Sequence, residues 1–121
     1  MKPNSLLMTS PKMKRLKHWI QFVPERITQI PTAKLEHKPQ PRKWSKKEIL
    51  GHLIDSASNN WLRFTNAQTA GKHFVIKPYQ QDDMVRLNDY QNKPIGQILE
   101  LWKQMNLQIY QVIEKVSEEN L

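Results

Sequence analysis

Apolar residues recur every three or four positions along three stretches of this chain, the spacing of one face of an α-helix. The first stretch holds Met13, Leu16, Trp19, Ile20 and Val23, and Ile27 and Ile30 continue it past Pro24. Ser10 fits an N-cap and Pro11 the first helical position. Pro24 either kinks this helix or opens a second short one. The second stretch runs through Ile49, Leu50, Leu53, Ile54, Ala57, Trp61, Phe64 and Ala67, which form one broad apolar arc at about 100° per residue. The third is an a/d seam of Ile95, Ile98, Trp102, Met105, Ile109, Val112 and Val116, widened by Leu99 and Ile113. This pattern predicts three long helices, near residues 11–30, 45–70 and 92–117.

Punctuation sharpens the boundaries. Ser45 and Glu48 have the spacing of a capping box, with Trp44 and Ile49 placed as a hydrophobic staple around it. Gly71 fits the stop of that helix, and Asn92 is expected to cap the last one. Residues 31–44 read as a loop holding Pro31, Pro39 and Pro41. Residues 72–91 read as a connection with a short extended piece at Lys72–Ile76 and a short helical one at Asp82–Tyr90. Residues 1–10 form a flexible tail in this reading, and residues 11–121 a single all-α domain.

Composition narrows the class. Three glycines in 121 residues are too few for the turns of an all-β protein. Six of the eight prolines fall in the first 41 residues, which frees the rest for long helices. The absence of cysteine excludes disulfides, thiolate metal sites and thiol nucleophiles, and fits a reducing compartment. With no signal-peptide pattern and no membrane-length apolar run, a cytoplasmic protein is expected. Residues 1–50 hold 12 Lys and Arg against 3 Asp and Glu, and residues 51–121 hold 7 against 8. That basic half reads as a solvated surface. No nucleic-acid motif accompanies it and no aromatic stripe is read within it, so nucleic acid is not an expected partner. The four tryptophans read as core and staple residues.

A polar seam borders the apolar arc of the second helix: His52, Ser56, Asn59 and Arg63 fall along one edge of it. His52 is the candidate metal ligand, since a neutral imidazole at a core edge serves that role well. A hydrogen-bonded core histidine is the alternative. His18, His37 and His73 lack metal-ligand spacing to one another or to His52. Asp82 and Asp83 could meet the seam from the connection, or simply occupy a helix N-terminus.

The stretch Lys38–Leu53, in which Trp44 and Ser45 lead into Glu48, Ile49, Gly51, His52 and Leu53, resembles the entry to the second helix of DinB-like (YfiT-like) proteins. The likeness continues through Ile54–Asn60, Arg63, Phe64, Ala67 and Gln68, and returns at Tyr79–Asp82, Val85, Tyr90, Gln91, Leu101, Trp102 and Asn106. The resemblance implies an up-and-down four-helix bundle. It also implies a divalent metal, zinc or nickel, on three histidines, in an enzyme of the hydrolase or transferase kind. The Gly-His-Leu histidine of that set is His52 here; the other two belong to the family's fourth helix. Three of the four helices are expected in this chain, so the bundle and its metal site are expected to be incomplete. The seam of the last helix would then leave an apolar groove, filled by a second copy in a homo-oligomer or by a helix supplied in trans. The competing expectation is a non-catalytic helical interaction module that associates through this groove. No substrate is legible.

Overall fold

The computed structural model of the chain describes residues 11–70 and 77–120. The expected tail, the Ser10 cap, the Gly71 stop and the extended piece at Lys72–Ile76 lie outside the described residues. The elements are α1 (Pro11–Thr28), α2 (Thr32–Glu36), α3 (Lys46–Ala70), α4 (Gln81–Asn88), a 3₁₀ turn (Tyr90–Asn92) and α5 (Ile95–Asn120). Among the described residues there is no strand, and no helix is long and apolar enough to cross a membrane. The three long helices match the periodicity, and Pro24 lies inside α1 rather than ending it.

Both α3 and α5 begin at the same end of the molecule, because Gln91, just before α5, reaches Ser45 at the start of α3. Farther along, Trp61 and Phe64 of α3 share a cavity with Ile109 and Val112 of α5. The two helices therefore run side by side in one direction. Helix α1 runs against them: Val23 and Ile27, near its end, pack on the cluster that contains Ile98 and Leu99, near the start of α5. The core sits at this shared end, in Leu50, Ile54, Val85, Tyr90, Ile98, Leu99 and Trp102. Ile98 is fully buried, and burial of such a side chain is worth about 1.5–3 kcal/mol. Along the same seam, Met105, Ile109 and Val112 are only half-buried.

The structure corrects three local expectations. The loop at 31–44 contains α2, one turn of helix whose Leu35 is buried as an anchor; five residues are too few for periodicity to reveal. Asn92 does not cap α5. Its amide donates to Asp89 within the 3₁₀ turn (2.8 Å), and the Pro94 carbonyl accepts the first helical bonds of α5. Trp44 and Ile49 line one cleft, where Ile49 is 46 % exposed, and Trp44 also packs on the core and on His52. Trp19 is not a core residue. Met13 and Ile20 are buried, but Trp19 lies 47 % exposed on the outer side of α1.

Gly51 has a structural purpose of its own. A Cβ at this position would run into the Tyr90 ring, which lies directly against the α3 backbone. Glycine costs a helix interior up to about 1 kcal/mol relative to alanine, and here that cost admits the ring to the core. Gly51→Ala should therefore destabilise the fold in spite of its better helix propensity, by about 1–3 kcal/mol from overpacking. Urea unfolding of the variant beside the unmodified chain measures the difference.

Candidate functional site

The first turn of α3 builds the site from its sequence. Ser45 and Glu48 form the expected capping box: the Ser45 Oγ accepts from the Glu48 amide and Glu48 Oε1 accepts from the Ser45 amide, each at 3.1 Å. The box extends outward. The Ser45 hydroxyl donates to Gln91 Oε1 (2.5 Å), and the Gln91 amide donates to the Glu36 carbonyl (2.8 Å). Lys47 is 3 % exposed, and its ammonium donates to Glu36 Oε1 and to the Gln91 carbonyl, each at 3.1 Å. Lys38 pairs with Glu48 at 2.9 Å. A buried ammonium and carboxylate are tolerable because both are hydrogen-bonded. Helix α2, the start of α3 and the start of α5 are thereby tied at one end of the bundle.

His52 stands two turns into α3. Its ring lies against Trp44, with centroids 4.9 Å apart and planes tilted by 35°. Its Nδ1 is buried and meets no hydrogen-bond partner among the described residues. A buried ring nitrogen without a partner is costly and is the kind of atom a ligand would satisfy. Among the described residues, however, no three His, Asp or Glu side chains come together to hold a metal ion. His52 is one donor, and a catalytic zinc takes three protein ligands, so the described side chains do not make up a metal site.

The rest of the seam has other work. Asn59 donates to the Asp55 carbonyl (2.8 Å) and touches the sulfur of Met84 on α4 (3.4 Å). Arg63 donates to the Lys77 carbonyl (2.9 Å) and stacks over the Tyr79 ring (5.7 Å to the centroid). These residues seat the connection on α3. Asp83 pairs with Arg86 at the surface (3.6 Å), and Asp82 faces a cleft shared with Lys38, Arg42 and Trp44. Both acids occupy the first turn of α4, where the helix dipole favours them.

Sequence reasoning passed over Asp55, one turn beyond His52 and 1 % exposed. Its Oδ1 accepts from the Tyr90 hydroxyl (2.6 Å) and from the Asn88 amide (2.9 Å), while its Oδ2 is buried without a partner. The available signal was an isolated acid in a helix whose remaining carboxylate, Glu48, belongs to the cap. Burial pushes the Asp55 carboxyl above the ordinary aspartate range. The bonds from Tyr90 and Asn88, with the neighbouring His52 ring, pull back against that shift. Burial first, and then the Asp55 carboxylate, hold the Tyr90 hydroxyl well above its ordinary value, so it stays a donor.

The sign of the coupling follows. A carboxyl with a raised folded-state value imposes no ionisation penalty below the unfolded value, about 3.9. The penalty grows as pH rises from the unfolded toward the folded value and is complete above the folded value. Asp55→Asn keeps an acceptor for Tyr90 and removes the charge, so its stability relative to the unmodified chain should climb with pH across that window. Asp55→Ala leaves the phenol unpaired and should fall below Asp55→Asn by about 1–3 kcal/mol at neutral pH. Urea midpoints of the three proteins, taken from acid to neutral pH, check both statements.

Of the comparisons with known proteins, the family comparison agrees with this architecture. No curated protein and no solved structure matches the chain. The family model of the DinB superfamily matches residues 17–121, which takes in α1 from Lys17 onward, the whole of α3 and α5, the capping box and His52. The chain belongs to the DinB superfamily.

Proposed function

We propose that this chain is the scaffold of a DinB-type metal-dependent hydrolase or transferase, to which it contributes His52 as one ligand of a zinc or nickel ion. The observation that carries the reading is the buried Nδ1 of His52, which has no protein partner among the described residues. Imidazole suits both metals. One imidazole does not hold a divalent ion against water, so no chemical step is assigned to the described side chains.

The remaining donors would arrive on a further helix. On the open side of α3, Ile49 (46 % exposed) and Leu53 (47 %) form an apolar stripe close to His52. A helix laid on this stripe would cover it and bring its own side chains up to the imidazole. That helix belongs either to a longer form of the polypeptide or to a partner. The same stripe favours a second reading, a non-catalytic module that pairs with a copy of itself; in that case sedimentation shows a dimer that Leu53→Glu converts to monomer.

The metal reading is tested on the histidine rings. Zinc added to the chain should perturb the His52 ring signals in a nitrogen-detected NMR spectrum before those of His18, His37 or His73. Uptake should be weak, and His52→Ala should remove it. A His52 ring that stays unmoved while the other histidines respond would overturn the assignment.

A further inference from the structure

The basic half of the chain has no task in the reading above, and the structure shows where part of it lies. At about 100° per residue, Arg15, Trp19, Phe22 and Arg26 fall within an arc of about 60° on α1, with His18 and Lys12 at its edges. This arc is opposite Met13 and Ile20, the buried residues of the helix. The stripe that the linear sequence did not display is therefore present on the folded helix: cations alternate with rings on its solvent face.

The rings are organised. His18 stacks on Phe22 with centroids 5.0 Å apart, and Trp19 meets both edge-on, at 5.2 Å from His18 and 5.7 Å from Phe22. The Arg26 guanidinium lies over the Phe22 ring at 5.5 Å, a cation–π contact that holds the charge beside the aromatic surface. Lys12, Lys14, Arg15, Lys17 and Arg26 are all exposed and make no ion pair among the described residues. The only acid on the helix is Glu25. A row of rings, with His18 and Trp19 exposed and Phe22 half-buried, flanked by cations without an ion pair among the described residues, fits a polyanion that also carries stackable faces.

We propose that the outer face of α1 binds single-stranded nucleic acid without sequence preference. Its arginines and lysines would meet phosphates, and Trp19 would stack on an unpaired base. A membrane surface fits less well. An interfacial helix separates its charged side from its apolar side, whereas here charges and rings share one arc and the apolar side is spent on the core. Bases in a duplex are already stacked on one another, so a ring platform is best matched by a single strand.

Fluorescence anisotropy of a labelled short oligothymidylate with the full chain tests this. Binding at micromolar protein is expected at about 50 mM salt, weakening with a log–log salt slope near −3 if roughly four phosphates are neutralised. Arg15→Glu combined with Arg26→Glu should weaken binding at least about tenfold and flatten the slope. Trp19→Ala should weaken it about fivefold or more, the loss of one stacked base. Circular dichroism confirms that these surface variants stay folded. Arg42→Glu with Lys43→Glu makes the same charge change in the loop before α3, and should cost much less. An equal loss from that control would reduce the effect to net charge and overturn the proposal. So would undiminished binding by Trp19→Ala, or no binding at low salt. Binding to phosphatidylserine vesicles through the same residues, without binding to the oligonucleotide, would overturn it in favour of a membrane.

Discussion

A carboxylate that cannot reach water fixes this fold. Asp55 points away from the α3–α5 contact, toward the connection, and its burial is tolerable only while Tyr90 and Asn88 donate to it. Those two donors flank the left-handed residue Asp89 (φ 52°), which ends α4 by giving its amide to the Val85 and Arg86 carbonyls. A single anion thus sets where α4 stops, how the chain turns, and which way the Tyr90 ring points. The ring in turn needs the bare backbone of Gly51. Helix α3 is buried on two sides as a result, by apolar packing against α5 and by this polar contact against α4 and the turn.

The sequence was informative wherever structure is set by neighbours along the chain. The long helices have periods that a wheel detects, and the Ser45–Glu48 box is a three-residue event. Asp55 was opaque for the opposite reason: its partner lies 35 positions away, and nothing local separates a buried aspartate from a solvated one on a polar helix face. Lys47 belongs with it, an ammonium that looks like surface and is enclosed by Glu36 and Gln91. Trp19 misled in the other direction. It shares the helical spacing of the core residues, but its angle on the wheel, about 100° from Ile20, places it on the solvent face. Of the candidate site, His52 was legible through its motif, whereas its contact with Trp44 required the folded chain.

The two ends of the bundle differ in character. At the capped end, hydrogen bonds and ion pairs cross between four elements, and the core beneath them is closed. Away from it, α3 and α5 meet through half-buried apolar side chains, and α3 shows an apolar stripe on its free side. His52 stands where the two regimes join, with its ring supported by Trp44 from the ordered end and its neighbours Ile49 and Leu53 facing the open side. An imidazole held firmly on one side and approachable on the other is suited to completing a site with groups from elsewhere.

The hydrogen bond from Ser45 to Gln91 spans 46 positions, and that separation has a meaning in time. A ribosome adds roughly 5–20 residues per second, so several seconds pass between the emergence of Ser45 and that of Gln91, whereas a helix forms within about a microsecond. Helix α3 can wind from its own cap long before the residue that anchors the cap exists. Until α4 emerges, α1 and α2 are the helices it can lie against, and of these α2 is its neighbour in the finished fold. The basic, proline-rich first third of the chain is therefore the nascent helix's first neighbour, and native order has to wait for Tyr90 and Gln91 to arrive together.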